Sequence, residues 1–340
     1  MTVRRPSANR IGSIAAVAFF ALATIGAAQF FRPVGALATA PLAALSRAGS
    51  PARALPPSAS PALDAFGRSG AVKVRLALPS ERVEFPIAIA GGGDSLSYRW
   101  VSATDSSWAE PARDLTAAPI IAPARPGIYR LAVIRGPARE ILPEPTLAVM
   151  VPFSRKLGDQ LNGYRLGWYL AERFGGGYDR PLGFVEVRPE MLDLQITKHL
   201  KLADFVTHDD QGDVWPKYVA LNPRLLDKLE LIFADLGSRV RPRLAVDMHS
   251  GFRSPSHNAR VESAARDSRH QYGDAADLAV DADGDGRITM TDELLVMLAV
   301  ERVEEKHPDL VGGLGLYTSR RFRNPYVHID ARGKRSRWHL

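Results

Sequence analysis

The sequence predicts an α+β protein in which an all-β region precedes a mixed helical and extended region, and three observations carry that prediction. Between Ala71 and Ser154 apolar and polar residues alternate in short runs broken by Gly and Pro, which is the period of strands. From Asn222 onward the apolar spacing lengthens to that of an amphipathic helix, and short apolar runs and a further helical stretch follow it. With 46% hydrophobic and 24% charged residues, the 340 positions suffice for two globular cores and some unpacked chain.

The first element is a hydrophobic segment. Arg4, Arg5 and Arg10 precede an uncharged run from Ile11 to Phe31, which predicts an export signal within residues 1–31. At about 1.5 Å rise per residue such a run spans a bilayer core of about 30 Å. Cleavage and retention are both open, and its length favours a retained anchor in the inner membrane, with the rest of the chain in the periplasm or cell envelope. Residues 32–70, rich in Ala, Pro and Ser, show no apolar face and predict a disordered spacer.

In residues 71–154 the alternating sets Val72, Val74, Leu76; Phe85, Ile87, Ile89; Tyr98, Trp100; Tyr129, Leu131, Val133; and Leu147, Val149, Val151 predict a small β-sandwich, with turns at Gly91 to Asp94 and at Pro126-Gly127. The surroundings of Trp100 and Tyr129 resemble an immunoglobulin-type core without its disulfide. Both residues are expected in that core. Residues 155–196 form a connector carrying Tyr164, Trp168, Tyr169, Phe174 and Tyr178, suited to packing between domains and, less so, to binding glycan.

The last region, 197–340, opens with a clear helix. Asn222 caps it, Pro223 suits its first turn, and Leu225, Leu226, Leu229, Ile232, Phe233 and Leu236 form its stripe. The run Leu244 to Met248 predicts a strand that leads into the chemistry. His270 and Asp277 flank Gly273 and the small Ala275 and Ala276, while alternation along a separate strand puts Tyr326, His328 and Asp330 on one face. Two imidazoles and one carboxylate would leave a zinc ion with a fourth position, as hydrolytic sites require. The chain has no cysteine, so thiolate ligands and disulfides are excluded.

The stretches Ser250-Gly-Phe-Arg-Ser-Pro255, Ser268-Arg-His270 with Gly273-Asp-Ala-Ala-Asp277, Gly312-Gly-Leu-Gly-Leu-Tyr317 and Val327-His-Ile-Asp330 together resemble the D-Ala-D-Ala carboxypeptidase and murein endopeptidase family of zinc peptidases. The resemblance runs from about Thr197 to Arg337. It implies a fold with a central antiparallel sheet, shared with lysostaphin-type enzymes and the hedgehog signalling domain, and an activity on peptidoglycan stem peptides or cross-links. It also implies His270, Asp277 and His328 as zinc ligands and Arg253 as the group facing the substrate carbonyl, with a salt bridge or loop-pinning role as the alternative for Arg253. Ser268 and Asn258 either orient this region or simply pack. Many relatives carry an acid three residues before the last His as general base, and here that position is Pro325. Asp330 is left as base or as the partner that fixes His328, with His249 and His257 as weaker alternatives for the base.

Asp281 to Asp292 matches a calcium loop of the EF-hand or dockerin sort, with Asp281, Asp283, Asp285 and Asp292 and the Arg287 carbonyl as Ca2+ ligands and Gly286 at the turn. A solvated acidic turn is the alternative. Glu293 then starts a helix whose apolar face includes Leu294, Leu295, Leu298 and Ala299. The basic run Arg332 to Arg337 reads as a solvated end able to touch anionic polymer.

Net charge is +7, from 44 Lys and Arg against 37 Asp and Glu, and favours anionic surroundings without choosing among them. The expected partners are peptidoglycan and, through residues 11–31, the membrane, with no nucleic acid. A catalytically inactive wall-binding module of the same fold and a calcium-dependent adhesion protein are the other readings.

Overall fold

The computed structural model describes residues 67–85, 96–115, 119–239, 244–318 and 325–339, all within one compact unit, Ala54–Leu340. The hydrophobic segment 11–31, nearly all of the spacer 32–70, Ile87, Ile89 and the turn at Gly91 to Asp94 lie outside the described residues. Among the described residues no helix is long and apolar enough to cross a membrane.

The alternating region forms β1 (Val74–Ala77), β2 (Leu96–Ser102), β3 (Arg113–Asp114), β4 (Gly127–Arg135), β5 (Ala138–Ile141) and β6 (Thr146–Val149). These make a single six-stranded sheet in the order β1-β6-β4-β2-β3, with β5 on β4 and the β1–β6 pair parallel. Two facing hydrogen-bonded sheets were expected; among the described residues the second is reduced to one antiparallel bridge, Arg82 with Ile121. The face of the six-stranded sheet is covered instead by irregular or extended chain bearing Val83, Phe85, Leu115 and Ala122, which pack on Tyr98, Trp100, Tyr129 and Leu131. Trp100 is fully buried, donates Nε1–H to Ile121 O at 2.7 Å and meets Phe85 edge-on. Burial of a ring of that size contributes on the order of 2–3 kcal/mol.

Of the two core clusters one lies wholly before the boundary expected at 154 and the other crosses it. Val72, Val74, Leu76, Ile128 and Ala148, from the opposite side of this sheet and its entrance, share one cluster with Tyr164, Phe184, Leu225 and Ile329. The connector is itself structured: β7 (Val151–Pro152), the hairpin β8 (Gln160–Leu161) and β9 (Tyr164–Arg165), α1 (Leu170–Phe174) and β10 (Gly183–Val187). β10 lies between β7 and β11 (Lys217–Val219) in a three-stranded sheet. Tyr164 and Tyr169 are fully buried, whereas Trp168, Phe174 and Tyr178 are exposed.

Asn222 accepts a hydrogen bond from the Arg224 amide at 3.0 Å and caps α2 (Pro223–Gly237), whose expected stripe is buried throughout. The C-terminal sheet is built from β12 (Ala245–Ser250), β13 (Ala275–Asp281), β14 (Gly313–Tyr317), β15 (Tyr326–Asp330) and β16 (Ser336–His339), with the short helix α3 (Pro255–Asn258) after β12 and α4 (Met290–Lys306) between β13 and β14. The order is β12-β13-β15-β14-β16, antiparallel except for the β14–β16 edge pair.

Two expectations are corrected here. Helix α4 starts at Met290, before Glu293, and buries Val296, Ala299, Val300 and Val303, while Leu294 and Leu298 are exposed. The Thr289 cap, with Asp292 reaching back to the Thr289 amide, fixes the rotation of the helix so that its β-branched side meets the sheet. The basic end is exposed at residues 332–335 as expected, but it is not free: β16 pairs with β14, and Arg332, Arg335 and Arg337 bind Asp330, Glu301 and Glu304.

Candidate metal centre

Sheet register brings the chemistry together. Ser250 pairs with Asp277, Asp277 with His328, His328 with Gly315, and Gly315 with Trp338, so one row crosses all five strands. His270 joins this row from the 3-10 turn Arg269–Tyr272, which Gly273 ends at φ +70°. That left-handed conformation favours glycine, and a Cβ there would stand 2.2 Å from Ala220 O. Gly315 has a different reason: a Cβ on it would meet the Trp338 indole at 2.3 Å, so the strand stays bare where the ring lies over it.

His270, Asp277 and His328 converge, each offering one ligand atom within 4.8 Å of the others, and all three are buried. His270 Nε2 lies 3.1 Å from Asp277 Oδ1 and 3.2 Å from His328 Nδ1, and His328 Nδ1 lies 2.8 Å from Asp277 Oδ1. The outer nitrogens are engaged elsewhere: His270 Nδ1 is 2.7 Å from Gly251 O, and His328 Nε2 is 3.2 Å from Asp330 Oδ2. Both of those partners are acceptors, so each outer nitrogen carries the proton and each inner nitrogen presents a lone pair. Three electron-rich atoms therefore point at one another at hydrogen-bond range, an arrangement that a cation between them satisfies. The donor set, two imidazoles and a carboxylate with hydrogen-bonded outer nitrogens, suits zinc.

Electrostatics follow the same geometry. Burial drives the His270 pKa down, against the pull of Asp277. Burial alone would raise Asp277, but the two imidazoles hold it well below the carboxylate range. His328 is raised despite its burial, because two carboxylates, Asp277 and Asp330, flank its ring. Asp330 is likewise held far down against burial by His328, Arg332 and the Gly313 amide.

Arg253 lies at the site: Nη2 binds Asp277 Oδ2 and Nε donates to Ser250 Oγ at 2.7 Å, so its guanidinium is fixed beside the carboxylate. Asp330 is fully buried and meets the His328 ring at its outer nitrogen, on the far side from the converging donors. Asn258 ties its Nδ2 to Ala265 O at 3.0 Å and holds the following loop, and Ser268 is buried at the start of the His270 turn. His249 is on β12, half-buried, with its ring 5.5 Å from that of Tyr326.

Sequence reasoning put Tyr326 on the face of His328 but missed that it joins Tyr317 and Trp338 in a wall of rings there. Tyr317 and Tyr326 stack at 4.4 Å, the Trp338 ring is 5.1 Å from His328, and Trp338 Nε1 donates to Tyr317 Oη at 3.1 Å. It also missed Arg332, whose guanidinium grips Asp330. Two aromatic residues in adjacent strand sequences were signal enough for Tyr317 and Tyr326; nothing in the terminal run announced Trp338.

In the loop after β13, Asp281, Asp283 and Asp285 converge as a second carboxylate group. Asp292 does not join them. Its Oδ1 accepts from the Ala282 amide at 2.7 Å and its Oδ2 from the Thr289 amide at 2.7 Å, because as the third residue of α4 it closes the loop onto the helix start. Arg287 donates its amide to Asp285 Oδ1 at 2.8 Å.

Fold and site together define a mixed α+β protein with a buried His-Asp-His group able to hold a metal ion. Residues 198–294 match the family model described as Peptidase M15, that of the zinc D-Ala-D-Ala carboxypeptidases. The matched segment holds Arg253, His270 and Asp277 and stops short of β15, so it is the sheet register that adds His328. No curated protein and no solved structure matches the chain.

Proposed function

We propose that this protein is a zinc-dependent peptidase that hydrolyses amide bonds in the stem peptides or cross-links of peptidoglycan. The convergence of His270 Nε2, His328 Nδ1 and Asp277 Oδ1, with both outer imidazole nitrogens already engaged, is the observation that supports it. His270, Asp277 and His328 would hold the zinc, which supplies Lewis acidity and an acidified water when bound. Arg253, pinned by Ser250 and only 16% exposed, presents its guanidinium where an oxyanion would develop, and a fixed cation there stabilises the transition state more than the ground state. Asp330 acts as a positioning residue: it keeps the proton on His328 Nε2 and so keeps Nδ1 free to bind the ion. Tyr317, Tyr326 and Trp338 shield that side of the centre from water.

The same proposal places the protein in the envelope, held by residues 11–31, with the spacer giving it reach to the wall. It assigns the loop 281–292 a structural Ca2+ bound through Asp281, Asp283 and Asp285, which would stiffen the chain directly after the strand of Asp277.

Two measurements test the reading on the purified protein. Elemental analysis should find one zinc per chain that is lost in His270→Ala, and isolated sacculi should release soluble muropeptides that Asp277→Ala no longer releases. Zinc bound without any release would leave a catalytically silent wall-binding module, and no zinc at all would remove the peptidase reading altogether.

A further inference from the structure

Resting on the peptidase reading, we propose that His249 is the proton-transfer residue of the hydrolysis, in place of an acid at the position of Pro325. On β12, Val246 and Met248 pack against the core, so alternation turns Asp247 and His249 to the opposite face. The register of β12 on β13 then shifts between Met248 and Ser250, and Ser250 faces Asp277. A bulge of this kind puts two consecutive side chains, here His249 and Ser250, on one face, and bulges of that sort re-aim side chains next to active sites.

Their placement relative to the metal donors follows from the sheet. β13 lies between β12 and β15, yet the His249 and Tyr326 rings approach to 5.5 Å. Asp247, two residues before His249, pairs with Ala279, and Val327, next to Tyr326, pairs with Leu278, so the two rings meet over this stretch of β13. Ser250, the neighbour of His249, faces Asp277, so the imidazole stands within about two strand residues, roughly 7 Å, of that carboxylate, the reach needed for a water and a peptide carbonyl to lie between them. Asp247 Oδ2 stands 3.4 Å from His249 Nε2 and steadies the ring. With its side chain 33% exposed, His249 can exchange protons with solvent, which the buried His270 and His328 cannot do. Pro325, at the place where many relatives carry an acid, offers no proton acceptor.

The step balances without any further reactant. The water oxygen bonds to the amide carbonyl carbon and one water proton passes to His249. As the C–N bond breaks, His249 returns that proton to the departing nitrogen, the remaining hydroxyl proton follows to the amine, and one carboxylate and one amine leave.

The test uses the full-length, zinc-loaded protein and a defined cross-linked muropeptide. In His249→Ala, kcat should fall about 100-fold or more, with KM within about threefold of wild type and zinc content unchanged, and added imidazole should restore part of kcat; His249→Gln should be as slow as the Ala variant. A readout independent of turnover is labelling of the wild-type protein with diethyl pyrocarbonate: peptide mapping should show His249 modified, and the cleaved tetrapeptide product should protect it. The proposal is overturned if His249→Ala keeps more than a third of wild-type kcat, if the loss follows KM or zinc content, or if the product leaves His249 labelling unchanged. Wild-type protein that cuts nothing overturns the peptidase reading itself, and that control is read separately.

Discussion

Replacing Asp330 by Asn tests the centre at a residue that never touches the ion. Asp330 Oδ2 faces His328 Nε2 at 3.2 Å, while Oδ1 accepts from the Gly313 amide at 2.7 Å and from the Arg332 amide at 3.1 Å. An Asn side chain of the same shape satisfies the two amides only by keeping its oxygen on them, which turns its NH2 group toward His328 Nε2. Donor then faces donor unless the imidazole changes tautomer. In that tautomer Nε2 accepts and Nδ1 carries the proton, so the nitrogen that faces Asp277 and His270 has no lone pair to give. Loss of such a partner typically weakens metal affinity about 10- to 100-fold, or about 1.4–2.7 kcal/mol. Zinc affinity should be measured at pH 7.5 by competition with a chelating indicator, on protein shown to be folded by circular dichroism. Asp235→Asn is the control, because it removes a carboxylate paired to Arg302 on the far helices and should leave zinc affinity unchanged. An Asp330→Asn protein that binds zinc within threefold of wild type would refute the orienting role of Asp330.

Three further outcomes follow from the packing. Lys228 is fully buried, with Nζ 2.7 Å from both Glu304 Oε1 and Asp330 O; Lys228→Met should cost about 3 kcal/mol, the low end for a broken buried pair because Glu304 keeps Arg337, seen as a Tm lower by roughly 6–12 °C, and Lys228→Met with Glu304→Leu should regain more than half of it. Burial pushes the Glu293 carboxyl from its ordinary 4.5 up to about 7, against the pull of the Tyr317 and Tyr326 amides. Between those values the unfolded chain has released a proton that the folded chain keeps, so stability falls as pH rises, by up to about 3 kcal/mol in all; Glu293→Gln should therefore melt higher than wild type at pH 8 and equally at pH 4.5, and equal melting at both would count against it. Gly273→Ala, forced to φ +70° with its Cβ against Ala220 O, should lose at least about 2 kcal/mol in a chemical denaturation curve.

The donors were legible in the sequence because they lie in short stretches whose local chemistry is explicit: a His before a glycine turn, small residues before an Asp, an alternating Tyr, His and Asp. The α2 stripe was legible for a similar reason, since six apolar residues at helical spacing leave one solution for the buried face. The face of α4 was not, because Leu294 and Leu298 are as apolar as the valines, and it is the Thr289 and Asp292 cap that chooses between two nearly equivalent stripes. Asp292 itself carried a double signal, as the last position of an acidic loop and as the third residue of a helix, and the backbone amides took it. The reduction of the second sheet to one bridge among the described residues has a different cause. Alternation fixes which side chains point inward but not how far the facing chain extends a ladder, and the segments bearing Val83 and Ala122 reach the core with a single antiparallel bridge, Arg82 with Ile121.

The terminal run shows why charge composition alone misleads. Arg332, Arg335 and Arg337 read as a free basic end, yet their acidic partners, Glu301 and Glu304 on α4 and Asp330 on β15, are distributed over sequence that gives no hint of proximity. Once paired, these arginines fasten β16 to the edge of the sheet, and β16 delivers Trp338 over Gly315 beside His328. The same Glu304 that binds Arg337 also binds Lys228, and Lys228 holds the Asp330 carbonyl. A buried chain of alternating charge thus runs from both helices to the residue that fixes the tautomer of His328. Such a chain is costly to desolvate and contributes little net stability over an apolar core. Its effect falls on position: Asp330 and the strand that carries His328 cannot shift without breaking bonds to two helices, and that rigidity is what a three-donor centre needs to keep its lone pairs converging.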